Sequence, residues 1–178
     1  LEDGPAPDAV VVSVGGGGLI SGIATWIKAH SPSTLVIGAS AANDRAMAAS
    51  IDAGEITTPH FEPTFSDGTA GGLEDDTITF DICRALIDRW VDISELDIAR
   101  AVAAMVDDHH HLVEGAAGVA LAAATHFADA NPGTRVVAVS CGARRRGDGA
   151  RRIHRDRERD APRACAGRSF GLSLGLCV

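Results

Sequence analysis

The chain has 178 residues, 46% of them apolar but only 4% aromatic, and a formal net charge of −8. That is one ordinary domain, or one and a piece, with a core that must be built from Ala, Val, Ile and Leu, as suits helices packed on a parallel sheet. No apolar run approaches the roughly 20 residues of a membrane span, the opening LEDGPAPDA lacks the basic and apolar regions of a secretory signal, and the acidic balance disfavours nucleic acid as a partner.

Residues 8–14, DAVVVSV, are an apolar run of strand length, expected as a buried parallel strand. Residues 18–30 place apolar side chains at 19, 20, 23, 26 and 27, a helical spacing, and residues 35–39 give a second strand. Strand, helix and strand in about 30 residues make a βαβ unit. ANDRAMAASIDAG reads as a short helix stopped by Gly54. The stretch EITTPHFEPTFSDGTAGGLEDD is a long loop, and loops of that length are often functional. A helix is expected over residues 77–90, then a short strand leading into a second helix with Ser94 as N-cap and Asp97 in the carboxylate position of a capping box. An Ala-rich helix over 115–130 and a third buried strand in TRVVAVSCGA complete the body. Trp26 and Trp90 read as core or domain-contact residues.

Beyond Ala143 the pattern changes. Residues 1–143 carry 6 basic and 20 acidic side chains, and residues 144–178 carry 10 arginines and 4 acidic ones, a net −14 followed by a net +6. The Arg-rich segment has neither helical nor strand period, so residues 144–178 are expected as a disordered tail. Its interspersed acids dilute any affinity for nucleic acid or acidic lipid. Cys83, Cys141, Cys165 and Cys177 have no metal or redox spacing and read as reduced thiols of a cytoplasmic protein. His109, His110 and His111 are adjacent and cannot share one helix face, so no metal site is expected there.

The feature that asks for a chemical explanation is VVSVGGGGLISG, four glycines between a strand and a helix. Bare backbone at a helix N-terminus offers N–H groups and a favourable dipole to an anion, and phosphate is the natural guest. The dinucleotide pattern fails, because Ile20 or Leu19 stands where glycine is required. The P-loop pattern fails because Ile23 stands where lysine is required. A tight structural turn is the competing reading.

In register with this loop, SDGTAGG, HHHLVEGAAGVALAAA and VVAVSCGA follow in order. The four segments together resemble pyridoxal-phosphate-dependent enzymes of the tryptophan-synthase-β fold type, and among these the threonine/serine dehydratases and serine racemase. The resemblance covers about residues 8–143. It implies an α/β fold, a parallel sheet flanked by helices, forming the C-terminal part of a cofactor-binding large domain. It implies that the amides of Gly15, Gly16, Gly17, Gly18 and Leu19 hold the phosphate of pyridoxal 5'-phosphate, and that Cys141 hydrogen-bonds the pyridine nitrogen. A neutral partner leaves the ring unprotonated, which suits β-elimination. Asp67 and Glu114 match acidic residues near ring and substrate. The competing readings are a buried strand cysteine for Cys141, the turn residue before Gly68 for Asp67, and a carboxylate favoured by a helix N-terminus for Glu114. The implied substrate is a small hydroxy-amino acid, the implied products a 2-oxo acid and ammonia, and a homo-oligomer fits the family.

Several positions depart from the family. Where some relatives hold a divalent cation through carboxylates, this chain has Ser40 and Ala46, so no metal is expected. Arg144 replaces an asparagine, and the abrupt change of composition there is expected to reflect a shifted reading frame or a replaced C-terminus. The only lysine is Lys28, an ordinary exposed position in the family, roughly 14 Å along the helix axis from the phosphate loop and unable to reach the cofactor aldehyde. The family's attaching lysine lies in an S-F-K-type segment ahead of the glycine loop, outside this sequence. The chain alone is therefore expected to be catalytically incompetent and, with an incomplete sheet, poorly soluble.

Overall fold

The structure, a computed structural model, describes residues 4–141. The expected tail at 144–178, Arg144 and the end of the SCGA segment lie outside the described residues.

Strand β1 (Ala9–Ser13) is buried along its whole length, as its β-branched run requires. It leads through the glycine loop into helix α1 (Gly18–His30) and strand β2 (Leu35–Ala41). Helix α2 (Ala46–Ala53) ends at Gly54, whose φ of 79° is the left-handed turn that stops a helix cheaply only with glycine. A long segment then reaches α3 (Thr79–Leu86), followed by β3 (Arg89–Ile93), α4 (Glu95–His109), α5 (Gly115–Ala130) and β4 (Val136–Ala138).

The four strands are parallel and ordered β3-β2-β1-β4. Alternate residues feed two cores, as a period-two strand dictates. Ala9, Val11, Ile37 and Ala39 pack beneath α4 and α5. Val10, Val12, Val14 and Val36 pack on the opposite face with Ile20, Ala24 and Ile27 of α1, Met47 of α2, and Phe80 and Cys83 of α3. The result is a three-layer α/β sandwich, as expected from a chain short of aromatic side chains.

Two boundaries differ from the sequence reading. The helix expected over 77–90 stops at Leu86, and Arg89 and Trp90 belong to β3. Two distant partners draw this segment into the sheet. The Asp88 carboxylate accepts from the Val36 amide (2.7 Å) and from Lys28 (2.6 Å). The Trp90 ring lies where a Cβ on Gly38 would be, at 3.0 Å, so the neighbouring strand makes room for it. The last strand is also shorter than expected, three residues, with pairing extended by the Val139 amide to the Val11 carbonyl (2.9 Å). Ser94 caps α4 by accepting from the Asp97 amide (3.2 Å), while its hydroxyl donates to the Asp97 carboxylate (2.7 Å). Asp97 thus returns to the capping hydroxyl.

Candidate functional site

The chain runs outward from β1 to β2 to β3, then returns to place β4 on the other side of β1. Strand order reverses between β1 and β4, and in open parallel sheets ligands bind outside the carboxyl ends at such a reversal. The segments leaving these two strands are the glycine loop and the stretch ending in Cys141. Ser13 Oγ and Cys141 Sγ lie 3.8 Å apart there.

Each glycine of the loop has a different reason. Gly17 is the N-cap of α1 with φ 80°, a left-handed conformation, and a Cβ on it would lie 2.8 Å from Met47 Cε and 3.0 Å from Cys83 Sγ. A Cβ on Gly15 would lie 2.7 Å from the Thr69 carbonyl oxygen. Gly16 and Gly18 face open space, where a Cβ would meet nothing within 4 Å. Packing therefore demands Gly15 and Gly17, whereas no contact within the described residues demands glycine at 16 or 18.

Among the described residues, none of the amides of Gly15, Gly16, Gly17, Gly18 or Leu19 donates a hydrogen bond. No side chain caps α1, and its first turn holds no acidic residue. The positive end of the helix thus faces outward uncompensated, while Lys28 and His30 suit its negative end. The carbonyls are engaged instead. Gly16 O accepts from Thr79 Oγ1 (2.7 Å), and Gly17 O from Ser21 Oγ (2.7 Å) and the Ser21 amide (2.9 Å). Cys83 lies beneath them, fully buried, and burial pushes its thiol pKa up against a smaller opposing effect of the Ser21 hydrogen bond.

A second wall comes from the long segment between α2 and α3. Glu95 accepts from the Phe65 amide (2.6 Å) and Thr64 Oγ1 (2.7 Å), and buried Asp44 accepts from the Gly71 amide (2.8 Å). Between these anchors, residues 66–69 form a turn closed by the Thr69 amide to Ser66 O (3.1 Å). The turn brings Thr69 against Gly15 and Gly68 against the Glu114 carboxylate. A Cβ on Gly115 would collide with the Phe65 carbonyl, so α5 begins in direct contact with this segment.

The sequence-derived candidates are therefore placed as follows. The glycine loop and Cys141 share the strand-order reversal. Glu114 is the N-cap residue of α5 and sits beside the 66–69 turn. Asp67 is exposed within that turn. Ser40 is buried in β2 and Ala46 begins α2. Among the described residues, no three His, Cys, Asp or Glu side chains gather as for a metal ion, and no helix is long and apolar enough to cross a membrane. Lys28, expected to be exposed, is half-buried and held by Asp88 (2.6 Å) and the Thr34 carbonyl (3.0 Å). Trp90 packs on the core beside α1, whereas Trp26 is half exposed and stacks on His30.

Sequence reasoning missed Thr79, Thr69, Cys83 and Ser21. Ser21 carried a readable signal, since serine four residues after Gly17 bonds back to its carbonyl. The others come from distant segments and had none.

The chain is 40% identical over 123 residues to the catabolic L-threonine dehydratase of Escherichia coli, covering 69% of this chain and 37% of that protein. It is 36% identical over 142 residues to the L-threonine ammonia-lyase of Thermotoga maritima, covering 80% of this chain and 35% of that protein. Among solved structures, processed threonine deaminase isoform 2 from Solanum lycopersicum superposes with TM-score 0.80 at 28% identity, over 86% of this chain and 45% of that one. Maize serine racemase gives 0.74 at 27% identity, over 88% and 49%. The chain thus spans little more than a third of these curated relatives and about half of these solved chains. Residues 1–142 match the family described as pyridoxal-phosphate dependent enzyme, and the chain belongs to that family, whose cofactor is pyridoxal phosphate.

Proposed function

We propose that this chain supplies the cofactor-phosphate cradle, and one side of the pyridine ring, of a threonine/serine dehydratase-type ammonia-lyase. The observation that carries the reading is the row of unengaged amides in residues 15–19 at an uncapped helix N-terminus. A phosphate dianion satisfies those donors and the helix dipole together. Thr69 and Gly68 bring a second wall beside the loop, and Cys141 offers its sulfur to the ring nitrogen. Asp67 and Glu114 take the substrate side. Pyridoxal phosphate, when bound, supplies the electron sink that loosens bonds at the α-carbon of an amino acid. The substrate in this reading is serine or threonine, released as a 2-oxo acid and ammonia by a cytoplasmic, homo-oligomeric enzyme.

The residues fit the phosphate and the ring but not covalent attachment. Lys28 is tied to Asp88 and Thr34 at the far end of α1. The 178-residue chain is therefore expected to bind the cofactor without bonding to it and to be inactive alone. That engagement of Lys28 also favours a second reading, a non-catalytic phosphate-binding or subunit-pairing remnant.

Titration of the purified chain with pyridoxal 5'-phosphate and with pyridoxal tests the cradle. The expected result is binding that depends on the phosphate and leaves no adduct on Lys28 after borohydride reduction, read by peptide mass spectrometry. Equal affinity for the two compounds removes the cradle, and an adduct on Lys28 removes the argument from position. A spectral response of the bound cofactor to L-serine or L-threonine favours the lyase reading. Binding without any such response favours the remnant.

A further inference from the structure

The carbonyls of Gly16 and Gly17 are held while the loop amides donate to nothing among the described residues, and side-chain hydroxyls take part in holding both. Thr79, the first residue of α3, donates to Gly16 O at 2.7 Å. Its hydroxyl lies 2.9 Å from Thr77 Oγ1. A threonine hydroxyl has one proton. Thr79 uses its own on Gly16, so Thr77 must donate to Thr79, and the order of the relay is fixed.

We propose that Thr79 is a positioning residue of the phosphate cradle, its hydroxyl locking the Gly16–Gly17 peptide so that the Gly17 N–H faces the anion. This rests on the phosphate reading of the loop. In a trans peptide the C=O and the following N–H point in opposite directions, and no cis bond occurs among the described residues. With Gly16 O turned to α3, the Gly17 N–H is turned away from α3. Between two glycines the opposite orientation meets little steric resistance. Such a flip would exchange a donor for a carbonyl oxygen facing the phosphate. Local sequence does not prevent it, and the Thr79 hydroxyl does. Gly17 O needs no equivalent from outside, because Ser21 of the same helix holds it.

The test uses pyridoxamine 5'-phosphate and pyridoxamine, neither of which can form a bond to an amine, titrated into the 178-residue chain and its variants. Thr79→Val keeps the shape and removes the hydroxyl. It is expected to weaken pyridoxamine 5'-phosphate about fivefold, the net scale of one hydrogen bond to the solvent-exposed Gly16 carbonyl. Pyridoxamine should be unaffected. Thr79→Ser should restore phosphate affinity to within about twofold. Equal weakening of both ligands, or failure of serine to restore, assigns Thr79 to folding and overturns the proposal, as does a Thr79→Val chain that still prefers the phosphate. Should that variant not fold, the same ratio is read on Thr77→Val, expected to drop about threefold; an unchanged ratio there overturns the proposal too. If the unsubstituted chain shows no preference for the phosphate, the cradle reading itself fails, and the role of Thr79 with it.

Discussion

A side chain introduced at Gly18 would meet no atom within 4 Å, so this position separates charge from packing. Gly18 is the first residue of α1, in a first turn without acidic side chains. Gly18→Asp places a carboxylate where the helix favours one and replaces the poorest helix former short of proline. The folded state should gain about 0.5 kcal/mol. The same carboxylate stands where the phosphate would and repels it, and pyridoxal 5'-phosphate should bind at least about tenfold more weakly. Thermal melting and ligand titration on one preparation read both effects. A variant that melts higher and still binds normally would show that the anion lies elsewhere.

Among the elements, α5 and the segment ahead of α3 depend on each other. Gly115 opens α5 against the Phe65 carbonyl, and Gly118 one turn later admits Val102 of α4, whose Cγ2 would lie 2.7 Å from an added Cβ. Residues 64–71 contribute few apolar side chains to the core and are held by Glu95, Asp44 and this contact. Gly115→Ala should push the segment outward and cost about 2 kcal/mol in urea denaturation, the usual scale of overpacking. Limited proteolysis should then cut within 64–71 in the variant and spare it in the original chain. Uniform cleavage of both would mean that the two anionic anchors suffice.

Across the whole molecule, the strands that were readable were those whose apolar runs carry their own signal. β1 announces itself in VVV, and α1 and α4 in their spacing and in the cap at Ser94. The start of β3 did not, because Arg89 and Trp90 join the strand only when Gly38 admits Trp90 and Asp88 meets Lys28 and Val36, partners about 50 or 60 residues away. The same division runs through the site. The glycine loop stood out because four glycines between a strand and a helix are a local feature of the sequence. Thr79 and Thr69 did not, since only the fold brings them to it. Lys28 shows the reverse: at a position read as exposed, it ties α1 to Thr34 just before β2 and to Asp88 just before β3. Lys28→Met should lower stability by about 1 kcal/mol in chemical denaturation, the worth of a partly buried charged hydrogen bond. It should leave pyridoxal 5'-phosphate affinity unchanged. A loss of affinity would return Lys28 to the site.

Four consecutive glycines would ordinarily be the most disordered stretch of a chain, with the largest conformational entropy to surrender. Here Thr69, Met47, Cys83 and Thr79 of the chain itself close around Gly15, Gly16 and Gly17. The cost of ordering falls on folding, in a molecule where two cores can bear it. On the proposed phosphate reading, an incoming anion would meet a rigid receptor, and its binding free energy would not be spent on shaping the loop. Association would then run at a rate set by diffusion and charge, without waiting for backbone rearrangement.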